Sequence, residues 1–159
     1  MTLSIRPGEP SDVSLIAELI RGLARYERLE HEVTMTEEQL DRALFGERRY
    51  AETLIAENGD QAVGFALFFH NFSTFLARPG IYLEDLFVVP EHRGRGVGKA
   101  LLEALARLAV ERDCGRLEWA VLDWNESAIA FYERLGARPN SEWTVYRLTG
   151  ESLRALAGE

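Results

Sequence analysis

The chain has 159 residues, enough for one domain with a sizeable core and no need of covalent staples. A net charge of −8 argues against nonspecific binding to nucleic acid or to anionic membranes, and the one cysteine, Cys114, excludes an internal disulfide. No apolar stretch approaches the ~20 residues needed to span a bilayer, and Met1-Thr2-Leu3-Ser4-Ile5-Arg6-Pro7 lacks the basic-then-apolar pattern of a secretory signal, so a cytoplasmic protein is expected.

In chain order, Leu3 to Arg6 alternates and predicts a short strand, and Pro7-Gly8-Glu9-Pro10 a turn. Ser11 or Asp12 is placed to cap a helix with apolar residues at Val13, Ile16, Leu19, Ile20, Leu23 and Ala24, running to about Arg28. Thr36-Glu37-Glu38-Gln39 has the capping-box spacing and opens a second helix that Gly46 ends. Strands are predicted over Tyr50 to Glu57 and Gln61 to Phe69, joined by Asn58-Gly59-Asp60, and over Ile81 to Val89, stopped by Pro90. A periodic helix follows from Gly96 to Arg112, then a strand from Arg116 to Leu122. A helix from Asn125 to Leu135 ends at Gly136, and a last strand covers Trp143 to Leu148. The order β-α-α-β-β-β-α-β-α-β predicts a mixed α/β fold, a sheet with helices on its faces.

The strongest local signal is Val88-Val89-Pro90-Glu91-His92-Arg93-Gly94-Arg95-Gly96-Val97-Gly98-Lys99. A buried strand ends there, glycines follow, and a long helix begins. Glycines let backbone amides approach a ligand, and a helix N-terminus adds positive partial charge. Arg93, Arg95 and Lys99 put three cations within seven residues of an acidic chain, the composition of an anion site suited to a pyrophosphate. It is not a P-loop: Arg93 stands where the first glycine belongs and Ala100 where Ser or Thr belongs. Nor is it a dinucleotide fingerprint, since the glycines fall at 94, 96 and 98.

Arg93-x-x-Gly96-x-Gly98 is similar to the coenzyme A pyrophosphate loop of the GCN5-related N-acetyltransferases, and the resemblance spans nearly the whole chain. Ile5-Arg6-Pro7 with Asp12, and Asn125 followed by Phe131-Tyr132-x-x-x-Gly136-Ala137, fall where that family has them. Leu23-Ala24-Arg25-Tyr26-Glu27, Tyr82-Leu83-Glu84-Asp85-Leu86-Phe87-Val88 and Trp124 to Tyr132 resemble its diamine branch, the spermidine/spermine acetyltransferases and their thialysine-acetylating relatives. The resemblance implies a central mixed, mostly antiparallel sheet with helices on both faces, acetyl-coenzyme A as co-substrate, no metal, and a homodimer. It also implies direct transfer to the primary amine of a small cationic acceptor: a diamine, a polyamine or a lysine-like amine.

It assigns roles as well. Backbone amides at Phe87, Val88 and Val89 would hold the pantetheine arm and polarise the thioester carbonyl. Arg93, Gly94, Arg95, Gly96, Val97, Gly98 and Lys99 would cradle the pyrophosphate, and Asn125, at a helix N-cap, would contact the cofactor with Glu126, Ser127 and Ala128. Tyr132 would protonate the departing thiolate. An amine with a lysine-like pKa is only ~0.1% free base near pH 7.4, a penalty of about 4 kcal/mol. A carboxylate in the site can bind the ammonium and help accept its proton, directly or through water. Glu84 is the candidate, because a carboxylate in an apolar strand is costly unless paired or used; Asp85 has the weaker claim. The strand carries a bulge in the family, so face assignments by alternation stop at Leu86.

The acceptor side would involve Tyr26, Glu27, Glu84, Glu118, Trp119 and Ala120, carboxylates and aromatic faces suited to a cation, with Thr144 at a substrate-facing position. The acidic surface otherwise serves solubility. The segment Ser141-Glu142-Trp143-Thr144 lacks the acidic pair of the diamine branch, which weakens the case for a long polyamine. His31, His70 and His92 have no metal-ligand spacing, and Cys114 has no activating partner in sequence. Two other readings remain: an acetyltransferase acting on protein termini or lysines, and a non-catalytic acetyl-coenzyme A sensor, which loss of Glu84 or Tyr132 would have favoured.

Overall fold

The computed structural model describes residues 1–159, which form two compact units, Met1–Ala120 and Val121–Glu159. The first holds a five-stranded sheet in the order β1 (Leu3–Pro7), β2 (Glu52–Asn58), β3 (Gln61–Ser73), β4 (Arg78–Val88), β5 (Leu117–Trp119). Neighbours from β1 to β4 are antiparallel, and β4 and β5 are parallel. Three helices accompany the sheet: α1 (Val13–Tyr26), α2 (Glu37–Phe45) and α3 (Val97–Glu111).

Cross-strand register decides which helix covers which face. Ile55, Phe65 and Phe87 stand opposite one another across β2, β3 and β4. They pack with Ile16, Leu19 and Leu23 of α1 and Leu40 and Leu44 of α2 in one buried cluster. Each large side chain so buried contributes roughly 1.5–3 kcal/mol. Gly22 makes the approach possible, because a Cβ there would sit 2.9 Å from the Phe87 ring. The opposite face takes α3: a Cβ on Gly64 would lie 3.3 Å from Val97, and the Arg112 guanidinium at the end of α3 sits 5.9 Å over the Phe68 ring. Helices therefore cover both faces, as expected for this strand order.

Most predicted elements form, with altered ends. Helix α1 stops at Tyr26 rather than Arg28. Arg28 takes a left-handed φ of 63°, Leu29 N–H bonds Ala24 C=O at 2.8 Å, and Arg28 N–H bonds Arg25 C=O at 3.1 Å. This is a Schellman closure with an arginine where glycine is usual. Asp12 does not cap α1 through its side chain. It accepts two bonds from Arg6, at 2.8 and 3.0 Å, and one from Glu9 N–H, while Arg6 Nε reaches Glu57 at 2.9 Å. Arg6 holds the Asp12 carboxyl below its usual range. The capping box at Thr36 forms as read, with Gln39 N–H donating to Thr36 Oγ1 and Thr36 N–H to Gln39 Oε1.

The second unit contains α4 (Glu126–Arg134) and α5 (Gly150–Leu156). Gly136, at φ 93°, closes α4, with Ala137 N–H on Tyr132 C=O at 3.2 Å. The predicted strand over Trp143–Leu148 is not formed. A strand needs a neighbouring backbone to satisfy its N–H and C=O groups, and no strand of this chain pairs with these residues. Trp143, Val145 and Tyr146 are exposed instead, at 76%, 86% and 92%. Helix α5 lies beyond the elements read from the sequence. No helix is long and apolar enough to cross a membrane.

Candidate active site

The site in the first unit is built around an interruption of β4. Leu67 of β3 pairs with Asp85, but the next residue, Phe68, pairs with Leu83, so Glu84 has no partner. A bulge of this kind bends the strand and reverses the alternation on one side of it. Leu83 consequently shares a face with Phe68, away from Asp85, Phe87 and Val89 with which simple alternation groups it. Asp85 shares the α1 face with Leu67 and Phe87. Glu84 is exposed rather than buried in the strand. Its cost as an isolated buried carboxylate therefore does not arise, and its projection from the bulge is what sets it apart.

Beyond the bulge, β4 has an open edge. Strand β5 pairs only with Ile81, Tyr82 and Leu83. Val89 N–H donates to Val63 C=O at 2.9 Å, and Phe87 stands opposite Phe65 two residues earlier. The antiparallel ladder then takes the amides of Phe87 and Val89 and turns Val88 N–H to the open edge. Of the three amides expected to meet a pantetheine arm, only that of Val88 is turned outward.

Next along the chain, Pro90–His92 form a 3-10 turn, with His92 buried. Gly94 and Gly96 adopt left-handed φ values of 76° and 84°, and a Cβ at either would meet nothing within 4 Å. Gly96 is the N-cap of α3 and carries no side-chain cap, so the first amides of the helix remain available to a ligand. Val97 is buried and anchors the turn, while Gly98 lies against Val88. Arg95 and Lys99 are exposed; Lys99 Nζ lies 3.8 Å from Glu103. Arg93 points elsewhere: its Nε donates to Val88 C=O at 2.9 Å, and its guanidinium lies 4.6 Å over the Tyr26 ring and 5.4 Å over Phe87.

Carboxylates gather on the α1 side. Glu27, just past the end of α1, is raised above the usual carboxylate range by burial and by Glu84. Asp85 is pushed up to about 7 by burial, then by Glu84 and Glu27. Burial, Glu84 and Glu118 raise the Tyr82 phenol. Asp85, ranked behind Glu84 on sequence grounds, is thus the carboxyl whose environment poises it near neutrality. The adjacent acidic pair was visible in the sequence, but the burial of Asp85 was not. Glu118 pairs with the Arg116 guanidinium, Nε at 2.8 Å, and accepts a hydrogen bond from Asn71 Nδ2 at 3.0 Å. The i, i+2 spacing of Arg116 and Glu118 on one strand face is the signal that could have found this pair. Trp119 pairs with Leu83 and so lies on the opposite face from Glu118, and Ala120 is exposed at the end of the strand.

In the second unit, Asn125 caps α4, its side chain accepting from Ala128 N–H and Ser127 Oγ, each at 3.3 Å. Glu126 opens the first turn, and the Tyr132 and Phe131 rings lie 5.5 Å apart. Thr144 is exposed in irregular chain.

A profile of the acetyltransferase (GNAT) family matches residues 16–137. The chain belongs to that family. As a GNAT protein it is an acetyl-coenzyme A-dependent N-acetyltransferase. The thialysine N-epsilon-acetyltransferase of Bos taurus is 39% identical over 98% of this chain and 97% of its own length. The L-ornithine N5-acetyltransferase of Arabidopsis thaliana is 34% identical over 96% of this chain and 86% of its own. Among solved structures, the integron cassette protein VCH_CASS6 of V. cholerae superposes with a TM-score of 0.83 at 29% identity, covering 100% and 99% of the two chains. These likenesses support the diamine and thialysine branch of the GNAT family. The residues present fit the co-substrate of the family: two open left-handed glycines, an uncapped helix N-terminus and two exposed cations form a cradle for a pyrophosphate.

Proposed function

We propose that the 159 residues act as one domain that transfers the acetyl group of acetyl-coenzyme A directly to the primary amine of a small, lysine- or ornithine-like cationic acceptor. The carrying observation is the convergence of Glu27, Glu84 and Asp85 beside the open edge of β4. Relatives named for acetylating thialysine and L-ornithine support an acceptor of that size.

Acetyl-coenzyme A supplies, when bound, an acyl group activated as a thioester. Arg95, Lys99 and the first amides of α3 hold its pyrophosphate, and the Val88 N–H orients and polarises the carbonyl. Asn125, with Glu126, Ser127 and Ala128, adds contacts to the cofactor. The carboxylates of Glu27 and Glu84 attract the acceptor ammonium, with Tyr26 lining the entry. Glu84 and Asp85 take its proton, the second with a pKa near the working pH. Tyr132 returns a proton to the departing sulfur. The enzyme works in the cytoplasm as a homodimer.

The test is thiol release from acetyl-coenzyme A with lysine, thialysine, ornithine, putrescine, spermidine and a short peptide as acceptors. Turnover with the amino acids, and little with the peptide, is the expected result; peptide turnover alone would move the acceptor to protein termini or lysines. Tyr132→Phe should lower kcat ~10²-fold while leaving acetyl-coenzyme A affinity within about twofold. Unchanged turnover removes Tyr132 from the mechanism.

A further inference from the structure

The arginine of the glycine-rich turn is engaged by the protein itself. Arg93 Nε donates to Val88 C=O at 2.9 Å, while the guanidinium stacks 4.6 Å over Tyr26 and 5.4 Å over Phe87. These partners come from two elements. Tyr26 is the last residue of α1, and Phe87 and Val88 end β4. Phe87 is also the ring on which Gly22 of α1 closes. We propose that Arg93 is a positioning residue for the acceptor side of the site, clamping the last turn of α1 to the end of β4.

The chemistry of the clamp demands an arginine. One nitrogen donates to a carbonyl while the delocalised charge lies over two aromatic rings, a combination that suits a guanidinium better than a compact, strongly hydrated ammonium. Phosphate binding makes no such demand, and Arg95 and Lys99 remain exposed for it. The clamp also fixes two catalytically relevant features. It orients Val88, whose N–H is turned to the open edge of β4, by holding its carbonyl. It also holds Glu27, the residue after Tyr26, close enough to Asp85 to contribute to its raised pKa. The end of α1 needs such a tie, because it closes through Arg28 in a left-handed conformation that non-glycine residues adopt at a cost.

This proposal rests on the acceptor binding beside Glu27 and Glu84, so its test has arms that do not require turnover. Arg93→Lys, Tyr26→Leu and the double variant are compared with the wild-type protein. The readouts are acetyl-coenzyme A affinity by calorimetry, amide hydrogen exchange over residues 23–29, and kcat/KM for whichever amine the wild type acetylates. Arg93→Lys should leave acetyl-coenzyme A affinity within about threefold, speed exchange at the end of α1, and lower acceptor kcat/KM about tenfold, mainly through KM. Adding Tyr26→Leu should speed exchange at the end of α1 little further, since both changes break one contact. Unchanged exchange over residues 23–29 overturns the clamp. So does an Arg93→Lys variant that loses acetyl-coenzyme A affinity more than about tenfold with an unchanged acceptor KM, the behaviour of a simple phosphate ligand. If the wild type acetylates none of the amines, the functional reading fails, while the exchange and affinity measurements still judge Arg93.

Discussion

The basic turn at residues 93–99 and the acidic patch of Glu27, Glu84, Asp85 and Glu118 are two charged regions of the first unit, and they are built in opposite ways. The turn is contiguous. The features proposed to hold a pyrophosphate, namely backbone amides, two left-handed glycines and a helix N-terminus, are all set within seven residues. The patch draws on the end of α1, the bulge of β4 and strand β5, and its properties depend on how those elements approach. A local backbone motif can be read from order in the chain. A carboxyl pKa cannot, because burial and neighbouring charge set it.

The comparison can be broken most sharply at Glu84. If the patch supplies the proton acceptor, Glu84→Gln lowers kcat/KM roughly 10²-fold near pH 7.5 with acetyl-coenzyme A affinity unchanged, and part of the loss is recovered at high pH. An unaltered pH–rate profile would refute its role.

Asp85 tests the same patch through stability. Its folded pKa of about 7 lies above the ordinary carboxylate value. The native state therefore binds more protons than the unfolded chain between about pH 4 and 7, and stability falls as pH rises through that window. Asp85→Asn should remove this dependence and gain about 2 kcal/mol relative to wild type at pH 8, with no gain at pH 4, measured by urea unfolding. Equal effects at both pH values would show that the carboxyl is not perturbed.

The turn is tested at Gly96, whose φ of 84° disfavours a side chain. Gly96→Ala should weaken acetyl-coenzyme A about tenfold, from roughly 1–2 kcal/mol of strain, and leave acceptor KM alone. A loss confined to the acceptor would mean that the two regions are not separable. The smallest effect is expected at Arg116. Arg116→Gln frees Glu118 from its 2.8 Å pair and should lower acceptor KM about threefold, the scale of a surface ion pair. An unchanged KM removes Glu118 from the acceptor side.

Much was legible in order along the chain. Alternation and helical periodicity predicted the elements of the first unit, because a strand or an amphipathic helix must present a repeating apolar face to be buried. The capping box at Thr36 and the closure at Gly136 were equally readable, being local hydrogen-bond and φ requirements. The predicted strand at Trp143–Leu148 shows the limit. Its β-branched and aromatic residues are of the kind that strands favour, but strand formation is a property of a pair of backbones, and no strand of this chain pairs with them.

The candidate site divides in the same way. The sequence by itself determined the glycine turn, the Asn125 cap and the presence of an acidic pair at Glu84 and Asp85. Only the tertiary structure decided that the bulge falls at Glu84, that Asp85 rather than Glu84 is desolvated, that Arg116 covers Glu118, and that Arg93 turns from the glycine loop onto Tyr26. Each of those outcomes depends on distances between residues far apart in the chain. Desolvation, Coulomb energy and ring stacking act through such distances, and residue order alone does not contain them.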